Sequence, residues 1–164
     1  MNTVWIGCTS FKLAKMKPLI VLCALLAPTS ALWKLTDPVD VKDCGSILAS
    51  NITVDITPCP GLPCPFKKNN FANISISFTA ESPISMATSS VYGIIAGIPV
   101  PFPLPNDNAC QFMSCPIQKG DNVVYKNGIL VDAMFPKISL IMKWELLTGL
   151  ANILCITVPV SIEG

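Results

Sequence analysis

Apolar and polar residues alternate one by one along several segments of the chain, which is the pattern of half-buried β-strands. The clearest alternations run over residues 52–57, 72–79, 137–146 and 154–162, and only Ile141 interrupts the third. Side chains two residues apart share one face of a strand, so each segment predicts one apolar and one polar face. Residues 91–98 and 123–125 are further strand candidates.

Proline- and glycine-rich stretches separate these segments and predict turns at residues 58–65, 99–105, 106–108 and 127–128. No segment has a helical period of convincing length, and the 15 prolines of the chain fit pinned turns between strands. The pattern therefore predicts an all-β fold, a two-sheet antiparallel β-sandwich formed by one domain.

The N-terminus has the features of a secretory signal peptide. Lys12, Lys15 and Lys17 precede an apolar run over residues 19–27, and the small residues at 29–31 resemble a cleavage site. The nine residues of that run are too few to span a bilayer. We expect a signal peptide over residues 1–31, starting at Met1 or Met16, and a mature domain over residues 32–164.

Removal of the signal peptide changes the charge of the chain from +1 to about −2, because residues 32–164 contain eight Lys against ten Asp and Glu. The chain contains no Arg, the residue best suited to bind phosphate groups in a bidentate manner. The composition therefore argues against a nucleic-acid partner.

Six cysteines follow the signal peptide, and a secretory context predicts that they form disulfides. Two pairs have only four intervening residues and close the shortest loops, which leaves one pair to tie the ends of the domain together. From the 15 pairings that six cysteines allow, we predict the bridges Cys44–Cys155, Cys59–Cys64 and Cys110–Cys115.

The residues that most enzymes use are missing or scattered. The chain contains no His, which removes Ser-His-Asp and Cys-His catalysis and the commonest metal ligand. The close cysteine pairs are CxxxxC without His companions, which favours disulfides over zinc. We expect no enzymatic activity, no metal and no cofactor.

Two Asn-X-Ser/Thr sequons predict N-glycosylation at Asn51 and Asn73. Both asparagines fall on the polar face of a predicted strand, where each would be accessible.

Five motifs follow one another in order between about residues 40 and 162. They are Asp43-Cys44-Gly45-Ser46, Pro58-Cys59-Pro60 up to Cys64, Gly97-Ile98-Pro99-Val100-Pro101-Phe102-Pro103, Cys115-Pro116-Ile117-Gln118-Lys119, and Phe135-Pro136 with Trp144-Glu145-Leu146. In order and spacing they resemble the Niemann-Pick type C2 family, whose members are secreted and lysosomal sterol carriers with an ML (lipid-recognition) domain. Residues 32–164 are thus expected to form such a domain.

The resemblance implies an immunoglobulin-like sandwich with a lipid cavity between its two sheets. Phe102, Val131 and Phe135 match ligand-contacting positions of the family and are expected to form the mouth of the cavity. Phe135 stands where the family often has Tyr, so a hydroxyl is lost there. Leu130 stands where Pro is common, which puts the stiffness of that loop in doubt.

Further ligand-binding residues come from the inward rows of two strands. Ile138, Leu140, Met142 and Trp144 match the row that lines the cavity in the family. The expected facing row is Ile74, Ile76 and Phe78. Without the resemblance, these apolar rows would favour a sandwich whose interior is packed and has no cavity.

The resemblance also implies the partners: a sterol or other apolar lipid, transient contact with a membrane, and a Niemann-Pick C1-type membrane protein as acceptor. The implied location is extracellular or in the lysosomal lumen. Two alternatives stay open, a carrier of fatty acids or semiochemicals and an accessory protein that presents a lipid in innate immunity.

Overall fold

The computed structural model describes residues 39–164, and the predicted signal peptide lies outside the described residues. The regular elements of the described part of the chain are β-strands, apart from a single short 3-10 helix at Ala109–Gln111. Its nine strands are β1 (Lys42–Asp43), β2 (Ala49–Thr57), β3 (Cys64–Lys67), β4 (Phe71–Ala80), β5 (Thr88–Ile95), β6 (Ile98–Phe102), β7 (Asn122–Leu130), β8 (Ser139–Thr148) and β9 (Ala151–Glu163).

The strands form two sheets, which confirms the predicted sandwich. The six-stranded sheet has the order β1-β9-β8-β5-β6. Its sixth strand, β3, pairs with β9 further along that strand than β1 does. The three-stranded sheet has the order β2-β4-β7. Ring contacts join the inner faces of the sheets, since the centroid of Tyr125 on β7 lies 6.0 Å from that of Trp144 on β8.

The alternation in the sequence corresponds to the observed burial. On β4, Ala72, Ile74, Ile76 and Phe78 are buried and face the other sheet. The same period appears on β8, where Met142 and Trp144 are buried and Ile141 is exposed. No helix among residues 39–164 is long and apolar enough to cross a membrane.

Three stretches that the sequence predicts as turns contain strand residues instead. Residues 98–102 form β6, an edge strand that pairs only with β5 among the described strands, and an edge tolerates prolines because it leaves N–H groups unpaired. Cys64 begins β3, which runs parallel to β9. Gly128 lies within β7 opposite Asn73, whose Oδ1 comes within 2.6 Å of the place that a Cβ would occupy.

All three predicted disulfides are present in the structure and confirm the pairing. Cys44–Cys155 joins residues 111 positions apart and fastens the first described segment to β9. Cys59–Cys64 closes the turn before β3, and Cys110–Cys115 closes the loop between β6 and β7.

Candidate functional site

An apolar cavity of about 270 Å³ lies between the sheets at one end of the sandwich. None of its lining residues, all of which belong to the described part of the chain, carries a charged side chain. The lining consists of Phe66, Val91, Tyr92, Gly93, Ile95, Val100, Pro101, Phe102, Ile129, Val131, Phe135, Pro136, Ile138, Leu140, Met142, Val160 and Ile162. Such a lining has nothing to stabilise an ion and much to gain from contact with hydrocarbon.

Two half-buried phenylalanines of the cavity lining stand together. Phe102 is the last residue of β6, and Phe135 lies on the loop between β7 and β8. Their ring centroids are 5.6 Å apart with the ring planes tilted by 53°. The loop is shaped by Asp132, whose Oδ1 accepts a hydrogen bond from the N–H of Met134 at 2.7 Å. Both rings line the cavity and are partly exposed to solvent, so their place at its mouth stays a prediction.

Six of the eleven predicted ligand-binding residues line this cavity: Phe102, Val131, Phe135, Ile138, Leu140 and Met142. Val131 lies deeper than predicted, since only 3% of it is exposed, and it belongs to the wall of the cavity rather than to its mouth. Whether these side chains contact a ligand stays a prediction.

The other five predicted residues do not line it. Leu130 is 48% exposed, because the alternation along β7 turns it away from its buried neighbours. Ile76 and Phe78 are buried in the core outside the cavity lining. Ile74 and Trp144 border a separate inner void that has no room for a water molecule. The alternation predicts correctly which side chains face inward, but it does not show where the sheets separate.

The sequence analysis misses several residues that line the cavity: Phe66, Val91, Ile129, Val160 and Ile162. The signal for Val160 and Ile162 was present, because they continue the alternation of the last strand. Phe66 gave little signal, since β3 has only four residues and follows a proline-rich turn.

A polar cluster lies in the interior outside the cavity lining. The Tyr125 hydroxyl is 2.8 Å from Ser89 Oγ and accepts a hydrogen bond from Asn127 Nδ2, also at 2.8 Å. Burial raises the pKa of Tyr125 above its ordinary value of 10.0, and the two hydrogen bonds partly oppose this rise. The hydroxyl is therefore neutral at physiological pH and serves the packing of the core.

Residues 38–162 match the family model described as the ML domain. The dog protein named NPC intracellular cholesterol transporter 2 is 35% identical over 128 residues, which are 77% of this chain and 86% of that protein. The mouse protein of the same name is 36% identical over 147 residues, 88% of this chain and 95% of that protein. This chain belongs to the Niemann-Pick type C2 family of ML-domain proteins.

A solved member of the Niemann-Pick type C2 family has the same fold. The crystal structure of a Niemann-Pick type C2 protein from the Japanese carpenter ant superposes with a TM-score of 0.69 at 26% identity, covering 76% of this chain and 99% of that one. The two-sheet sandwich of this chain is thus the fold of a known family.

The two segments that carry Phe102 and Phe135 in this Niemann-Pick type C2-family chain also carry exposed apolar side chains. Ile98 and Val100 on β6 are 66% and 47% exposed. Met134, next to Phe135 on the loop between β7 and β8, is 89% exposed. We call Ile98, Val100 and Met134 the mouth rim.

Proposed function

We propose that this protein binds a sterol in the cavity between its two sheets and carries it through an aqueous compartment to a membrane. The observation that carries the proposal is the apolar lining of the cavity, in which the rings of Phe102 and Phe135 stand together. The names of the mammalian relatives support the choice of ligand, since both are cholesterol transporters by name. The proposed role involves no covalent chemistry.

The hydrophobic effect is large enough for such a ligand. Burial of several hundred Å² of apolar ligand surface at about 25 cal/mol per Å² gives a gross gain on the order of 10 kcal/mol. Losses of translational and rotational freedom reduce that gain, and binding in the micromolar range or tighter remains. The lining offers the ligand no charged partner, so a polar head group is expected at the mouth in contact with water.

The proposed compartment is the extracellular space or the lysosomal lumen. Three disulfides in a domain of this size fit an oxidising environment. Asn51 and Asn73 are both exposed, so the folded surface would accommodate a glycan at either sequon. N-glycosylation at these two positions is part of the proposal.

A binding measurement with a matched pair of variants tests the ligand and its site. Wild type should bind a fluorescent sterol, and unlabelled cholesterol should displace it more effectively than a fatty acid does. Leu140→Trp fills the cavity and should weaken binding at least tenfold. Leu150→Trp makes the same change in the exposed turn between β8 and β9 and should bind like wild type. Stronger displacement by the fatty acid would contradict the sterol assignment, and equal binding by both variants would contradict the site.

The mouth rim supports delivery of the ligand by direct contact with a membrane. If the rim inserts into the bilayer surface, the sterol can leave the cavity without crossing water, which removes most of the cost of its exposure. The rate of transfer to acceptor vesicles should therefore rise with vesicle concentration, and Met134→Ser should reduce the slope. A rate that stays constant would show that the sterol leaves through water instead. A Niemann-Pick C1-type membrane protein is a proposed acceptor at the same surface.

A further inference from the structure

Phe66 occupies a special position, because its side chain borders three separate spaces. It lines the main cavity, the inner void beside Trp144, and an outer groove of about 250 Å³ that opens between β3 and β4. Val131 is the other residue that lines both the main cavity and the groove, and it does not reach the void. The ring of Phe66 is thus the common wall of all three spaces.

The backbone that carries this ring is held in place. Phe66 pairs with Ile162 in the parallel ladder between β3 and β9. Two residues earlier, Cys64 is bonded to Cys59. The ring itself has open space on the groove side, where Lys67 and Asn70 form a polar border and Phe71 is 60% exposed. A change at this place therefore involves rotation of the Phe66 side chain rather than movement of the strand.

The size of the main cavity favours such a rotation. Its 270 Å³ lies just below the roughly 300–1,000 Å³ of typical ligand pockets. A sterol has four fused rings that cannot fold to fit, so the protein must provide the additional volume. Phe66 is the lining residue whose displacement would join further space to the cavity on two sides.

We propose that Phe66 is a movable partition that determines how long a ligand the cavity accepts. This inference rests on the proposed function, because it names the residue that sets ligand length at the same site. With the ring in its present position, Phe66, Ile129 and Met142 separate the cavity from the void, and Phe66 is the one of the three that also borders the outer groove. With the ring turned towards the outer groove, the cavity continues to the void bordered by Ile56 and Ile74. A longer apolar tail occupies that extension.

Xenon tests the partition without reference to the natural ligand, since this gas enters apolar cavities that stay free of water. Methyl NMR under xenon should show shifts for Leu140 in wild type, whereas the methyl groups of Ile56 and Ile74 stay unchanged. In Phe66→Ala the shifts should extend to Ile56 and Ile74. The matched control is Phe78→Ala, which truncates an equally buried phenylalanine that borders none of the three spaces and should leave Ile56 and Ile74 unchanged.

Two outcomes of the xenon experiment would overturn the partition. One is a wild-type response of Ile56 and Ile74 as large as that of Leu140, and the other is no response in Phe66→Ala. Phe66→Leu serves as the smaller change if the alanine variant does not fold. Neither outcome depends on sterol binding, so the partition can fail while the proposed function stands, and the reverse.

A ligand series then tests the consequence for specificity. The probes are sterols whose side chains grow by one methylene at a time. Wild-type affinity should stop rising at a certain length, and Phe66→Leu should continue to gain about fourfold for each further methylene that it buries. Phe78→Leu should show the wild-type profile. The same limiting length in Phe66→Leu and wild type would contradict the inference, whereas failure of wild type to bind any member would contradict the proposed function alone.

Discussion

The two ends of the sandwich differ in packing although the same strands supply both. At one end, which we call the packed end, Phe78 and Tyr125 of the three-stranded sheet and Leu146 of the six-stranded sheet are almost completely buried. At the other, Leu140 and Ile138 are only half-buried and face the empty space behind Phe102; we call this the cavity end. Leu140 and Leu146 lie six positions apart on β8, yet Leu146 belongs to a solid core and Leu140 to a cavity wall.

The elements that close each end account for this difference. At the packed end, the Cys44–Cys155 bridge fastens the first described segment to β9. Phe112, on the loop closed by Cys110–Cys115, packs against Tyr125 with 6.1 Å between the ring centroids. At the cavity end, a proline-rich edge strand and an irregular loop meet through the rings of Phe102 and Phe135. An inward row of apolar side chains can therefore form a core or a cavity, and the choice depends on what covers its end.

Truncation of a leucine should show the contrast most clearly. Leu146→Ala at the packed end leaves a new void and should reduce the free energy of unfolding by about 3 kcal/mol, within the 2–5 kcal/mol typical of such changes. Leu140→Ala at the cavity end only enlarges a space that already exists and should cost about 1 kcal/mol. Urea unfolding of the two variants measures both values. Equal losses would mean that the cavity end is packed as tightly as the other.

Enlargement of a valine should again reduce stability more where the interior is packed than where it borders the cavity. Val54 is 1% exposed and borders no cavity, so the ring of Val54→Phe must displace its neighbours at a cost of about 1–3 kcal/mol. Val131 is equally buried but lines the cavity, so the ring of Val131→Phe has room and should reduce stability by less than about 1 kcal/mol.

The same two variants should differ in the opposite sense in ligand binding. The ring of Val131→Phe occupies space that the sterol needs, and its affinity for a fluorescent sterol should fall about tenfold, a change of about 1.4 kcal/mol. Val54→Phe should bind like wild type where it is folded. If Val131→Phe bound the sterol normally, the wall position of Val131 would not matter for the ligand.

The sequence was sufficient for the parts of this molecule that depend on local periodicity and on loop length. The strands around Ile76 and Trp144, the two-sheet sandwich and the three disulfides follow from the alternation and the cysteine spacing. The predicted mouth residues Phe102 and Phe135 came only from the resemblance to the family, since their neighbourhood depends on two chain segments that are distant in sequence.

Other features of the site could not be predicted because they depend on tertiary geometry. Phe66 lies on a strand too short to show a period, and its importance comes from the spaces around it rather than from its own segment. Ile76 and Phe78 have the same inward pattern as Ile74, yet only Ile74 borders an empty space. Separation of two sheets by a few ångströms leaves no trace in the alternation along a strand.

The smallest expected effect concerns pH and again separates the two ends. The exposed carboxylate of Asp43 lies beside the Cys44–Cys155 bridge, and hydrogen bonds from Ser46 and Gly45 lower the pKa of Asp43 below its ordinary value of 3.8. Because the folded state binds this proton less tightly, the contribution to stability is present above pH 3.8 and disappears as the pH falls through the lower, folded-state value.

Wild type should therefore exceed Asp43→Asn in stability at neutral pH by a small margin, which closes below about pH 4. Solvent screening keeps the margin small, because Asp43 is exposed. The affinity for sterol should not change over the same range as long as the protein stays folded, since no lining residue of the cavity carries a charge. Urea unfolding, measured from neutral pH into the acid range, tests the stability margin. Sterol binding over the same range tests the constant affinity. A margin that widens on acidification would contradict the direction of the Asp43 shift, and an acid-dependent affinity in folded protein would require a titrating group at the cavity end.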